Sequence, residues 1–283
     1  MSEHTTFHTG GKADIYVTPR DTAEVQKVID IKNKYNIPIT VFGNGSNTIV
    51  TDKGIRGIVL ALKKLNTVEV DDENQIVTVG GGYAITKLSS AMAELGYSGL
   101  EYAFGIPGTI GGAVYMNAGA FGGETKDIVL SVDYLSIDDN KIQTIEAKDC
   151  DFGYRHSIFQ TMKNVVILSA KLKLTKGNKE EILAKMQENK SVRSAKQPIT
   201  LPSAGSIFRR EDGIIVAKLI DDSGLKGYKI GGAEVSKLHA GFIVNVDNAT
   251  PQDVLDLMEH IKTVIKEKYD VDLHEEVKII GER

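Results

Sequence analysis

At 283 residues, with 34 Lys plus Arg against 38 Asp plus Glu and a formal net charge of -4, the chain is long enough for about two domains with sizeable cores. Hydrophobic residues at 41% and charged residues at 25% are globular values, which excludes collagen-like, coiled-coil and disordered classes. The acidic balance offers no global cationic field for a phosphate backbone, so no nucleic-acid partner is expected.

Residues 21 to 35 place Val25, Val28, Ile29 and Ile31 at helical spacing behind an Asp/Thr start, which predicts a helix. Residues 37 to 42 and 58 to 62 read as buried strands, the first running into glycine. Val68 to Val70, a polar turn and Ile76 to Val79 predict a hairpin, followed by a helix over 85 to 95. The glycine-rich stretch 104 to 123 predicts no regular element. Strands are expected over 128 to 137, 141 to 146 and 165 to 174. A polar amphipathic helix over 178 to 196 ends the first lobe. Its Lys190, Arg193 and Lys196 are interleaved with acids and are read as a solvated face, not a phosphate site. Beyond Pro198 and Pro202 come a helix near 212 to 221, strands near 240 to 246, a helix from Pro251 to about 268 and a last strand over 275 to 280.

The lone cysteine, Cys150, makes no internal disulfide and no zinc cluster, in keeping with a reducing, cytoplasmic compartment. Six histidines show no metal-ligand spacing, so no metal is expected. No stretch approaches the roughly 18 apolar residues of a membrane helix, and no signal-peptide pattern opens the chain.

Two glycine motifs invite chemistry. Gly43, Asn44, Gly45, Ser46 and Asn47 follow a strand, a composition suited to an anion-binding nest of backbone N–H groups, with a tight Asn-Gly turn as the competing reading. The motif is not a Rossmann fingerprint: Thr48 stands where the third glycine belongs, and Ile49, Val50 and Thr51 favour a strand over a helix. The second motif sets Gly105, Gly108, Gly111, Gly112, Gly119 and Gly122 within eighteen positions. Each lacks a side chain that would hold the backbone off a large, flat ligand. A flexible surface loop is the alternative, disfavoured by the interleaved Ile, Pro, Val and Met.

The ordered set Gly-Asn-Gly-Ser-Asn at 43 to 47, Gly-Ile-Pro-Gly-Thr-Ile-Gly-Gly-Ala at 105 to 113, Met-Asn-Ala-Gly-Ala at 116 to 120, Tyr-Arg-His-Ser at 154 to 157, Pro-Ser-Ala-Gly-Ser-Ile-Phe at 202 to 208, His-Ala-Gly-Phe-Ile-Val-Asn at 239 to 245 and Glu-Val-Lys-Ile-Ile-Gly at 276 to 281 resembles the UDP-N-acetylenolpyruvoylglucosamine reductase family (UDP-N-acetylmuramate dehydrogenase), in its shorter, Gram-positive-type subgroup. The resemblance implies an α+β fold: an FAD-binding fold of the vanillyl-alcohol-oxidase type in two subdomains, 1–65 and 66–175, a linking helix 176–198, and a smaller α+β substrate-binding domain 199–283. It implies non-covalent FAD on Gly43, Asn44, Gly45, Ser46, Asn47, Gly105, Ile106, Pro107, Gly108, Ile110, Gly111, Gly112 and Ala113, and NADPH as hydride donor.

Arg155, Ser206 and Glu276 match the family's catalytic positions. Hydride delivery to the methylene carbon of an enolpyruvyl ether leaves negative charge on the adjacent carbon and its carboxylate. The resemblance makes Arg155 and Glu276 its stabilisers and Ser206 its proton donor. Read singly, each has a structural alternative: an ion pair of Arg155 with Asp149 or Asp151, a cap by Ser206, a pairing of Glu276 with Lys278. Tyr154, Arg210, Lys218 and His239 are the expected substrate contacts, with Arg209 a weaker candidate cation. The implied substrate is UDP-N-acetylglucosamine enolpyruvate, and a monomer is expected. Two departures from the family pattern stand out: His156 where Asn or Asp is expected, and Lys278 in place of an arginine.

Overall fold

The computed structural model describes residues 1–210 and 213–282. The chain divides into two compact units. The larger comprises Ile15–Asn44 and Gly57–Ser191, the other Met1–Asp14, Gly45–Arg56 and Val192–Arg283.

In the larger unit, helix α1 (Thr22–Tyr35) starts where Asp21 accepts the Glu24 N–H and stops at Asn36 in the left-handed conformation. This is the boundary chemistry that the Asp/Thr start predicts at one end. Val25 and Ile29, one turn apart, are its buried contacts. Strand Ile39–Phe42 lies parallel to Ile55–Ala61, with Ile39 opposite Ile58. A five-stranded antiparallel sheet follows, in the order Lys141–Glu146, Val129–Ser136, Val165–Lys173, Ile76–Gly80, Val68–Asp71. Helices α2 (Ile85–Glu94) and α3 (Ile110–Met116) contribute Leu88, Met92, Ala113 and Val114 to one core with Val77, Val79, Val132 and Leu172. α1 contributes to a second core with Leu60, Leu135, Val166 and Leu168.

The strand Val165–Lys173 serves both cores because it is bulged. Its register against the neighbouring strand jumps from Asp133↔Ser169 to Tyr134↔Ile167. Since side chains alternate sides with period two, one inserted residue exchanges the faces. Val166 and Leu168 therefore face α1, whereas Ala170 and Leu172, of the same parity, join the other core.

Helix α4 (Lys179–Lys196) buries Ile182 and Met186 against Ala93. Lys190 and Lys196 are exposed as expected, but Arg193 is half-buried. One sequence expectation is corrected outright: the stretch 104 to 123 holds a real helix, α3. Thr109 caps it by accepting the Gly112 N–H at 3.3 Å, and Asn117 closes it at φ 42. Gly111 is tolerated because it packs: a Cβ there would lie 3.1 Å from the Gly81 carbonyl oxygen.

In the second unit, Ser203–Ser206, Phe242–Asn245, Ala233–Val235 and Lys229–Ile230 form a four-stranded antiparallel sheet. Helix α5 (Val216–Asp222) begins four residues later than expected; position 212 of that expectation lies outside the described residues. Helix α6 (Pro251–Tyr269) opens with a reciprocal Thr250/Asp253 capping box and buries Val254, Leu257, Met258, Ile261 and Ile265 in a core with Phe7, Ile243 and Val277. The last strand is shorter than expected, Lys278–Ile280, and runs parallel to Thr48–Val50.

Candidate active site

The larger unit brings two sequence motifs side by side. Strand Ile39–Phe42 delivers Gly43 and Asn44, and Asn44 Nδ2 donates to the Pro107 carbonyl at 2.5 Å. A Cβ on Gly43 would sit 2.9 Å from Thr109 Oγ1, so any larger residue would displace the hydroxyl that caps α3. The second loop is tied down from behind: Ile85 N–H bonds the Gly108 carbonyl at 3.1 Å, Ile110 N–H the Tyr83 carbonyl at 2.9 Å and Gly111 N–H the Gly81 carbonyl at 2.8 Å. Gly80, Gly81 and Gly82 supply the backing, and a Cβ on Gly82 would fall 1.7 Å from the Leu62 carbonyl oxygen. That triplet was passed over in the sequence, where three consecutive glycines were the available signal.

Among the described residues, the N–H groups of Gly43, Asn44, Gly108 and Thr109 donate to no protein acceptor. Backbone donors beside side-chain-free positions suit a diphosphate, so the residues present fit a dinucleotide such as FAD.

Arg155, also in the larger unit, sits in a tight turn closed by reciprocal bonds between Gly153 and His156 at 3.1 and 3.2 Å. Its φ is 52, a left-handed conformation that a non-glycine residue holds only when its surroundings enforce it. Gln160 Nε2 donates to the Arg155 carbonyl at 2.8 Å and to the Tyr115 carbonyl at 2.9 Å. Asn117 Nδ2 donates to the Gly153 carbonyl at 2.9 Å. The guanidinium donates through Nη2 to the Gly119 carbonyl at 3.1 Å and lies 5.2 Å from the ring centre of exposed Tyr154. The Met-Asn-Ala-Gly motif is thus the buttress of the arginine turn, a role that residue type alone did not reveal for Asn117 or Gln160. Asp151 pairs with His156, at 3.2 Å.

The second unit joins three motifs. Ser206 ends its strand opposite Phe242 after a register slip at Gly205, whose φ is 76. Glu276 N–H donates to the Ile207 carbonyl at 2.7 Å, and Arg209 N–H to the His274 carbonyl at 2.9 Å. Asn47 Nδ2 donates to the Glu276 carbonyl at 3.2 Å, while Lys278 N–H returns to the Asn47 carbonyl at 2.9 Å. Ser206 and Glu276, seventy positions apart in the chain, therefore stand on bonded neighbouring backbone. Burial, reinforced by the Arg209 charge, pulls the Lys278 ammonium below its ordinary pKa. Arg210 is exposed, and Lys218 on α5 pairs with Asp222 at 3.0 Å. His239 accepts the Gly241 N–H at Nδ1 and lies edge-on to Phe242. Burial lowers its pKa, and with Nδ1 accepting, Nε2 is the nitrogen that carries the proton.

An FAD binding domain family model matches residues 13–146, and the model of the UDP-N-acetylenolpyruvoylglucosamine reductase C-terminal domain matches residues 197–280. The chain is 45% identical over 282 residues to the UDP-N-acetylenolpyruvoylglucosamine reductase of Bacillus subtilis strain 168, covering 99% of this chain and 92% of the relative. It belongs to the UDP-N-acetylenolpyruvoylglucosamine reductase family. The Staphylococcus haemolyticus reductase is 46% identical, over 100% of this chain and 91% of its own length. The crystal structure of the Thermus caldophilus reductase superposes with a TM-score of 0.84 at 32% identity, covering 99% of this chain and 97% of that one. The chain is accordingly a flavoprotein oxidoreductase of the reductase family, with the expected α+β architecture of FAD-binding domain and smaller C-terminal domain. No helix among the described residues is long and apolar enough to cross a membrane.

Proposed function

We propose that this chain reduces UDP-N-acetylglucosamine enolpyruvate to UDP-N-acetylmuramate at the expense of NADPH, a step of peptidoglycan precursor synthesis in the cytoplasm. The two glycine motifs would hold FAD non-covalently, and it would supply two-electron chemistry between NADPH and the methylene carbon of the enolpyruvyl group. Arg155 binds the substrate carboxylate with its planar, permanently charged fork. Glu276 hydrogen-bonds the same carboxylate as negative charge spreads into it. Ser206 gives its hydroxyl proton to the carbon that bears the carboxylate, which is basic enough at that moment to accept it. Arg210 and Lys218 meet the diphosphate, and Tyr154 and His239 border the nucleotide sugar. NADPH and the UDP-sugar are taken in turn, giving ping-pong kinetics. In this reading 1–65 and 66–175 are the flavin-binding subdomains, 176–198 the link and 199–283 the substrate-binding domain, in a monomer.

The observation that best supports the reading is the 2.7 Å bond from Glu276 N–H to the Ile207 carbonyl, which keeps the proposed proton donor and the proposed carboxyl on adjoining backbone. Purified yellow protein should turn over NADPH beyond one equivalent per flavin only when the enolpyruvyl substrate is added, with UDP-N-acetylmuramate as product. Rapid reoxidation by oxygen without any UDP-sugar would make it an oxidase, and bound flavin without NADPH consumption a binding module.

A further inference from the structure

We propose that Lys262, on α6, is a positioning residue for Glu276, acting through its ion pair with Glu275. The inference rests on the catalytic reading of Glu276 given above. Lys262 Nζ pairs with Glu275 Oε1, the two side chains being 29% and 34% exposed. Such partial burial gives an ion pair more weight than a fully solvated one has. Burial opposes ionisation of Glu275, yet the Lys262 hydrogen bond, the residue's own backbone N–H and the charges of Lys262 and His274 together hold the carboxyl below its ordinary pKa.

Both ends of the pair are anchored. Lys262 follows Met258 and Ile261 and precedes Ile265, all three buried in the core of this unit, on a helix whose N-terminus is fixed by its capping box. Glu275 forms a backbone bridge with Phe208. Its neighbours on either side are bonded to the same stretch, His274 through Arg209 N–H and Glu276 through the Ile207 carbonyl. The segment 274–276 is thus laid along 207–209, directly after Ser206, and the ion pair ties it to α6. Beyond Glu276 the chain continues into buried Val277 and the strand Lys278–Ile280 on Thr48–Val50. Losing the pair removes the side-chain tie between the segment 274–276 and α6, and a small misplacement of a group acting in the transition state is costly to rate.

Rapid mixing separates the two half-reactions. In Lys262→Met and Glu275→Gln, reduction of bound flavin by NADPH should keep its rate, whereas oxidation of the reduced enzyme by UDP-N-acetylglucosamine enolpyruvate should slow roughly tenfold, with substrate KM changed less than kcat. Lys262→Arg, which keeps the pair, should restore most of the loss, and the exchanged pair Lys262→Glu with Glu275→Lys part of it. A normal second half-reaction in both single variants overturns the inference, and so does an equal fall in both half-reactions that Lys262→Arg leaves uncorrected. Glu276→Gln, measured alongside, keeps the two layers apart. If it slows the second half-reaction while Lys262→Met does not, only the positioning role falls; if it slows nothing, the catalytic reading of Glu276 falls with it.

Discussion

Asn44 and Pro107, sixty-three positions apart, are joined by a 2.5 Å bond from the asparagine amide to the proline carbonyl. The bond fixes the spacing of two glycine motifs in which, among the described residues, the Gly43, Asn44, Gly108 and Thr109 backbone amides donate to no protein acceptor, the proposed flavin site. Asn44→Ala should therefore weaken FAD retention by about 1 kcal/mol, or several-fold in Kd, without unfolding the protein. Fluorescence titration of apoprotein with FAD measures it, and unchanged affinity would remove this bond from the account of the flavin site.

Gly82 is a packing requirement. A Cβ there meets the Leu62 carbonyl oxygen at 1.7 Å, and backbone cannot swing aside as a flexible side chain does. Gly82→Ala is expected to cost about 3 kcal/mol or more of stability, read from urea denaturation. A variant as stable as the parent would contradict the close approach.

Asn117 is fully buried and uses both amide N–H groups and its oxygen. It donates to Glu124 and Gly153 at 3.0 and 2.9 Å and accepts the Lys126 N–H at 2.9 Å. Asn117→Ala should destabilise by about 2 kcal/mol through these unpaired groups. It should also raise the KM for the enolpyruvyl substrate, because the turn that presents Arg155 loses a prop. Loss of stability with unchanged KM would separate Asn117 from the arginine.

The α6 cap has a pH signature. The Asp253 carboxylate is held below its ordinary pKa chiefly by the Thr250 N–H, at 2.9 Å, with the Gly232 N–H adding at 3.2 Å. A carboxyl more acidic in the folded than in the unfolded chain contributes its full stability above the unfolded pKa, near 4. It loses that contribution as pH falls through the depressed folded value. The stability gap between wild type and Asp253→Asn should accordingly be constant from pH 6 to 8 and shrink on acidification below about pH 4. A gap independent of pH would contradict the assignment.

Cys150 is buried, and burial pushes its thiol up to about 11, with Asp149 and Glu146 adding to the shift. Since the thiolate is the nucleophile, iodoacetamide at pH 8 should leave the folded protein unlabelled and modify it once unfolded. Rapid labelling of native protein would show the thiol to be accessible.

Much of this architecture was legible because local periodicity and tertiary demand agree. The α1 pattern of Val25 and Ile29, the hairpin 68 to 79 and the Pro251 start of α6 are signals that packing then uses. The glycine-rich run misled at α3, since glycine lowers intrinsic helix propensity while the close contact of Gly111 with Gly81 favours it. The short strand at Ser203–Ser206 and the attachment of Met1–Asp14 and Gly45–Arg56 to the C-terminal unit depend on long-range pairing, such as Ser203 N–H to the Thr6 carbonyl at 3.1 Å, that no local window contains. The candidate site residues come from the ordered motifs. Gln160 and Lys262 lie outside those motifs, and the part Asn117 plays inside one is not visible locally, because a buttress is defined by what it touches.

Ser206→Ala in a rapid-mixing experiment tests the chemistry most directly. Flavin reduction by NADPH should proceed within about twofold of wild type, while oxidation of the reduced enzyme by the enolpyruvyl substrate should fall by roughly 100-fold or more, the scale of a lost general acid. Equal slowing of both half-reactions, or a second half-reaction at wild-type rate, would contradict proton donation by Ser206.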